Sequence, residues 1–359
     1  MQNFYKDLKK VILINSYTKN KSGVDEVGRV FQKWFEEIGF STKRFQRELI
    51  GDHLLFQTPK RDGKKILFLG HLDTVFPKGE FETYKEDDEF VYGPGVCDMK
   101  GGNLVALQAL RNQTKQIYNI DMLLVSDEET GSDDSKFLTK ELAKEYDICF
   151  VFEAAGKNME LVVGRKGVGT FFADIKGKAS HSGVRYSEGI NANLEAAHKL
   201  IKLQSLTNLE KGTTLNVGKI EGGVGANTIS PQAKLTFELR YESLEERDRV
   251  LNSVESIINT SFVKGTKSVL SGGIQRDVME ENEAQKELIK ELEKISGQKL
   301  ESEKRGGVSD ANIVASVGVV TIDGFGPFGD GDHTVYERGK KSSFESRIEL
   351  VSKYIEEVL

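Results

Sequence analysis

Between residues 24 and 38, apolar side chains recur at Val24, Val27, Val30, Phe31, Trp34, Phe35 and Ile38, a stripe that stops at Gly39. This 3.6-residue period predicts an amphipathic helix that opens the fold. Short apolar runs come next at 66–69, 120–125 and 148–152, with helical patterns at 103–110 and 137–146. Strand alternating with helix predicts an α/β fold, a mostly parallel sheet flanked by helices on both faces. In such sheets the chemistry gathers just beyond the carboxyl ends of the strands. The three runs lead into Gly70-His71-Leu72-Asp73, into Ser126-Asp127-Glu128-Glu129 and into Glu153, so each delivers acids or an imidazole to one edge.

The texture changes near Lys166. Strand patterns at 168–176, 214–220 and 234–241 are separated by helical stretches at 191–206 and 244–258. Strand, helix, strand, strand, helix, strand is the order of a small ferredoxin-like α+β layer. Past Gly273 a helical pattern at 283–295 and a strand at 319–322 return to the style of the first region. The expected organisation is a catalytic domain of residues 1–165 and 274–359, with 166–273 inserted as a lid or dimerisation domain.

Composition narrows the function classes. At 359 residues the chain exceeds one typical hydrophobic core, which agrees with two domains. A net charge of −6, with Lys and Arg scattered among Asp and Glu, argues against nucleic acid as a partner and favours a small-molecule ligand. Cys97 and Cys149, the only cysteines, form neither a disulfide framework nor a metal-type spacing, so a reducing compartment is expected. The apolar run 11–14 is far shorter than a signal-peptide core and no stretch approaches a membrane span, so the expected location is the cytoplasm, without a membrane partner.

Several short motifs carry candidate chemistry. His71 and Asp73 lie two apart, so on an extended strand end both face one way and the carboxylate can orient a metal-binding imidazole. A surface histidine beside a turn aspartate would read the same. Residues 93–102, GPGVCDMKGG, present one acid, Asp98, among glycines ahead of a helix. Neither P-loop nor dinucleotide spacing is present, and an acid would repel phosphate. Alternation sends Glu128 and Glu129 in different directions, so one can bind metal while the other serves as general base; a solvated charge run is the plain alternative. Glu153 ends an apolar strand and would be an anomaly there without a cation. Asp332-His333-Thr334 comes after the glycine-rich stretch 324–331, which would let a distant histidine return to the site. Together these supply two imidazoles and at least three carboxylates, a donor set that suits zinc, with cobalt or manganese as substitutes.

The ordered motifs FLGHLDTVFP, YGPGVCDMKGGN, SDEETGS, FEA, GKASHSG, ANTISP, GGVSDAN and GDGDHT, with the Arg240 strand, span nearly the whole chain. In this they resemble the co-catalytic zinc peptidases and deacylases that include glutamate carboxypeptidase, aminoacylase, acetylornithine deacetylase and succinyl-diaminopimelate desuccinylase. The resemblance implies two zinc ions, one held by His71 and Glu153, the other by Glu129 and His333, with Asp98 bridging. It also implies that Asp73 orients His71 and that Glu128 is the base, taking a proton from the attacking water and returning it to the leaving amine. The peptide bond after the bridging aspartate, here Asp98-Met99, is often cis in that family.

From the inserted domain, His181 matches the residue that stabilises the tetrahedral oxyanion, often from the partner subunit of a homodimer. Asn227 and Arg240 match positions that hold the substrate's free carboxylate, and a guanidinium fork suits that task, although a structural salt bridge is the simpler role for Arg240. Gly306, Gly307, Ser309 and Asp310 match the glycine-rich support of that carboxylate; Val308 departs from relatives that have Gly or Ala there. His53 and His198 match no family site and are expected to be structural or solvent-exposed.

The implied activity is hydrolysis of an amide or peptide bond in a small molecule or short peptide bearing a free carboxylate. GGVSDAN and GDGDHT resemble the glutamate carboxypeptidase branch most. An N-acyl-amino-acid deacylase is the alternative, an aminopeptidase fits less well because Arg240 favours an anion, and a silent metal- or peptide-binding relative would not need Glu128.

Overall fold

The computed structural model describes residues 1–359 and divides them into two compact units. The first comprises Met1–Gly164, Glu281–Arg305 and Ser309–Leu359, the second Arg165–Glu280 and Gly306–Val308.

The first unit is built on a six-stranded sheet, in the order Ser41–Phe45, His53–Gln57, Ile120–Val125, Ile66–His71, Ile148–Val151, Val320–Ile322. The last four run parallel, while Ser41–Phe45 and His53–Gln57 form an antiparallel hairpin at one edge. Ile66–His71 and Ile120–Val125 are buried at every position, as parallel strands covered on both faces must be. That double covering explains their unbroken apolar runs. Phe68, Phe150, Phe152 and Phe325 pack face or edge to one another in the core of this unit.

The helix expected at 24–38 is Lys21–Glu37, but it does not open the fold. Gln2–Ile12 precedes it, burying Phe4, Leu8, Val11 and Ile12. Their helical spacing was masked because Leu8 and Val11 flank two lysines. The closing helix Lys341–Val358 was also missed; its buried Arg347 and Ser343 interrupt the apolar stripe. A smaller sheet orders Gly329–Asp330, Arg338–Lys340, Phe90–Tyr92 and Lys85–Glu86, all antiparallel. It joins the chain on either side of His333 to the approach to Asp98.

Asp52 ties the edge hairpin to the helix Lys21–Glu37. Its carboxylate accepts from Lys21 Nζ at 2.8 Å, Arg44 Nη1 at 3.1 Å and the Arg47 N–H at 3.0 Å. Burial opposes ionisation, yet these donors hold the carboxyl at about 2, below its usual 3.8. A lowered folded-state value means that the stabilisation is present above pH ~4 and is lost as pH falls from ~4 towards ~2. Urea midpoints measured across that window should fall for the wild type by more than for Asp52→Asn. Parallel acid limbs for the two proteins would sink this assignment.

The second unit is a four-stranded antiparallel sheet in the order Thr214–Gly222, Gln232–Tyr241, Gly167–Lys176, Lys267–Arg276, with helices Ala192–Gln204 and Leu244–Asn259. Along Gln232–Tyr241 every second residue is buried, from Ala233 to Tyr241, and these side chains join Ala196, Leu203, Val250 and Val254 in a separate core. The one-sided alternation is that of a sheet with a single covered face. The closing strand of that order is Lys267–Arg276; with Gly272 and Gly273 in its middle and an exposed edge, it has no apolar run that would place it from sequence. Side-chain caps from Asn191 and Ser243 start the two helices.

Candidate metal centre

Three of the four parallel strands of the first unit lead into turns whose side chains meet in one place. His71 is the last residue of Ile66–His71, and Glu153 lies two residues beyond Ile148–Val151. Glu128 and Glu129 start a 3-10 turn, Glu128–Thr130, after Ile120–Val125. The two glutamates therefore diverge because successive residues of such a turn are ~120° apart, not because of strand alternation. Asp98 lies just before the helix Lys100–Arg111, and its peptide bond to Met99 is cis. His333 comes from the small sheet's loop with a left-handed backbone, φ 60°.

The five proposed ligands converge. His71 Nε2 is 3.0 Å from Asp98 Oδ1 and 3.8 Å from Glu153 Oε1. His333 Nε2 is 3.1 Å from Asp98 Oδ2 and 3.1 Å from Glu129 Oε2. Asp98 thus offers a different oxygen to each histidine. One donor atom each from His71, Asp98 and Glu129 falls within 4.8 Å of the others.

The electrostatics show why cations suit this cluster. His71 Nδ1 lies 3.0 Å from the Asp73 carbonyl oxygen and 3.4 Å from Asp73 Oδ1, both acceptors, so Nδ1 carries a proton and Nε2 is the nitrogen that faces the carboxylates. Burial opposes charging of His71, but Asp73 and Asp98 outweigh it and hold the imidazole well above its ordinary range. The Asp98 and Glu129 carboxylates hold His333 up at about 11. Burial and then the Asp98 charge push Glu129 up to about 8, and the same two causes drive Glu153 well upward. Burial would raise Asp98 too, but the two imidazoles bring it well below the carboxylate range. Protons therefore serve where positive charge is needed, and two imidazole nitrogens facing three carboxylates form a donor set that divalent cations fit.

Supporting contacts surround the ligands. Asp73 Oδ2 accepts from Thr18 Oγ1 at 2.7 Å and from the Glu129 N–H at 3.3 Å, so one carboxylate braces two ligand-bearing segments. Asn103 Nδ2 donates to the His71 carbonyl at 2.6 Å. A Cβ on Gly70 would meet Asn103 Oδ1 at 2.0 Å, which is why glycine precedes the histidine. His53 is buried, not exposed, and is structural: its Nδ1 accepts from the Ser126 N–H at 3.1 Å and Nε2 lies 3.0 Å from Asp134 Oδ1. Glu128 is half-buried, and its charge reaches both Glu129 and Glu153.

Thr18, Asn103 and Glu337 were not singled out by sequence. Thr18 and Asn103 carry no local signal. Glu337, four residues after His333 in GDGDHTVYE, had one in its spacing; it is buried, and its carboxylate accepts three backbone N–H groups around Asp98. Burial pushes it up to about 8 against those donors.

Of the remaining predicted residues, His181, Asn227, Arg240, Gly306 and Gly307 lie in the second unit, whereas Ser309 and Asp310 belong to the first and are buried there. His181 pairs as an isolated bridge with Thr228, and the Ser182 N–H donates to the Asn227 carbonyl at 3.0 Å, so the GKASHSG and ANTISP loops are neighbours. His181, Asn227 and Gly307 are exposed. Arg240 pairs through Nε with Glu238 Oε1 at 2.8 Å, and its Nη1 donates to the Gly306 carbonyl at 3.1 Å. The Gly307 carbonyl accepts from Arg165 Nη1 at 3.1 Å.

Residues 163–266 match the M20 peptidase dimerisation domain. Carboxypeptidase G2 of Pseudomonas sp. is 29% identical, over 92% of this chain and 82% of its own. A succinyl-diaminopimelate desuccinylase of Rickettsia bellii is 25% identical over 98% and 96%. Over most of its length the chain is thus similar to these two hydrolases. Among solved structures, the aminopeptidase PepT of Bacillus cereus superposes with a TM-score of 0.84 at 23% identity, covering 99% of this chain and 98% of that one. The dinuclear metal-binding M20 peptidase YXEP of Bacillus subtilis gives 0.72 at 13% identity, over 100% and 99%. These superpositions show a shared fold. No helix is long and apolar enough to cross a membrane.

Proposed function

We propose that this protein is a di-zinc hydrolase that cleaves an amide bond next to a free carboxylate, as a glutamate-carboxypeptidase-like exopeptidase. The observation that carries the reading is Asp98, which presents one carboxylate oxygen to His71 and the other to His333, each histidine also facing a glutamate. His71 and Glu153 would hold one ion, Glu129 and His333 the other, and Asp98 both. Bound zinc would supply Lewis-acid polarisation of the scissile carbonyl and lower the pKa of the attacking water. Glu128, beside the cluster but outside the ligand set, takes a proton from that water and delivers it to the departing amine, so water adds across the C–N bond to leave an acid and an amine. Asp73 fixes the His71 ring.

The second unit supplies the residues assigned to substrate recognition by family resemblance, His181 for the oxyanion and Asn227, Arg240 and the Gly307 backbone for the carboxylate. A homodimer through that unit agrees with the matched dimerisation domain. Cys97 and Cys149 are buried and unpaired, which agrees with a cytoplasmic enzyme. The identity to desuccinylases favours a second reading, an N-acyl-amino-acid deacylase, whose substrate keeps the same carboxylate beside the amide.

A panel of N-acyl-glutamates, folate-like glutamates, N-acetyl and N-succinyl amino acids and unblocked dipeptides separates these readings. Glutamate release is expected from the first two groups, and turnover confined to the acetyl or succinyl compounds would replace the carboxypeptidase reading with the deacylase one. On the best substrate Arg240→Ala should raise KM about 10- to 100-fold, the scale of a charge-assisted hydrogen bond, with a smaller change in kcat. An unaltered KM would leave Arg240 as the partner of Glu238 only.

A further inference from the structure

The segment that brings His333 to Asp98 also grips the backbone that presents Asp98. Glu337 is only 1% exposed. Its Oε2 accepts the Gly95 N–H at 2.9 Å, and its Oε1 accepts the Cys97 N–H at 2.9 Å and the Asp98 N–H at 3.2 Å. Its own carbonyl accepts the Gly93 N–H at 3.2 Å, and from Arg338 onward the segment pairs with Phe90–Tyr92 in antiparallel register. A buried carboxylate in a ring of backbone donors is a specific device, because each N–H must point at it and none can be replaced by a side chain. Those donors belong to the turn that ends in the one residue touching both histidines.

We propose that Glu337 is the positioning residue for Asp98. It fixes the 95–98 backbone so that the two Asp98 oxygens meet His71 and His333 together, and it sets the affinity of both ions. The proposal rests on the metal-centre reading above. Glu337 sits four residues from His333, so displacement of this segment withdraws a ligand and loosens the bridge in one movement. A mere staple of the fold would contribute stability without any particular effect on metal binding.

Cobalt titration followed by its visible absorption, zinc content after equilibrium dialysis, and thermal unfolding of the metal-free protein separate these roles. Glu337→Gln keeps the size but puts an NH2 group against backbone donors. It should bind cobalt and zinc about 10- to 100-fold more weakly, as removal of a ligand's hydrogen-bond support does, at a temperature where circular dichroism shows it fully folded. Glu337→Asp, which keeps the charge, should recover part of that loss, and Val335→Ala, altered on the same segment at an exposed site, should bind as the wild type. Wild-type affinity in folded Glu337→Gln, even with a lowered melting temperature, overturns the positioning role and leaves the metal centre standing. If Glu337→Gln does not fold, the same criterion applies to Glu337→Asp. Failure of the wild type to take up either ion overturns the metal-centre reading, and this proposal with it.

Discussion

Glu128→Gln should lower kcat by about 10²- to 10⁴-fold while the protein retains its full complement of metal. That range is what a positioned acid–base group supplies. The amide is close in size to the carboxylate and stands beside the proposed ligand set, so the fold and the ligands have no reason to move. What is lost is the acceptor for the water's proton and, later, the donor to the leaving amine. KM should change little, because the carboxylate-recognition residues are untouched. Metal content by elemental analysis and steady-state kinetics on the same preparation decide the matter. Turnover within a few-fold of wild type would refute Glu128 as the base; loss of activity together with loss of metal would make it a ligand instead.

Removal of Asp98 should do more. Asp98 stands at hydrogen-bond distance from both histidines and is the proposed shared member of two ligand sets, so Asp98→Ala deprives both at once. Bound zinc should fall from two ions per chain to a small residual, and activity should become undetectable. The stability readout is independent of turnover. A ligand that binds only the folded state stabilises it by mass action, about 4 kcal/mol at a thousandfold excess over Kd. Chelator-treated wild type should therefore melt lower and recover on addition of zinc, whereas Asp98→Ala should melt at one temperature with or without zinc. A variant that still gained full stabilisation from zinc would show that the cation sits elsewhere.

Much of this architecture was readable because its cause is local. Strands at 66–71, 120–125 and 148–151 are buried on both faces, so their sequences are unbroken apolar runs, and the residues just past each run lie, by topology, at the functional edge. His71, Glu129 and Glu153 are placed by that rule alone. The pattern of Gln232–Tyr241 was equally legible, since burial of one face imprints a period of two. Elements whose burial is interrupted left no such imprint: the edge strand Lys267–Arg276 through its glycines, and Lys341–Val358 through a buried arginine. The divergence of Glu128 and Glu129 was expected for the wrong reason, because a 3-10 turn rather than a strand carries them.

His333 and Asp98 are 235 positions apart, and Glu337 and Cys97 are 240 apart. Nothing periodic in the sequence records such an encounter. It arises because Arg338–Lys340 pairs with Phe90–Tyr92, and hydrogen bonds between strands are made by backbone groups that every residue possesses. The sequence by itself determined the strand–helix alternation, the two cores and the carboxylates and imidazole at the strand ends, since these depend on side-chain polarity at fixed local spacing. Only the tertiary structure decided that Asp98 stands between His71 and His333 and that Glu337 holds it there, because long-range backbone pairing carries no side-chain signature.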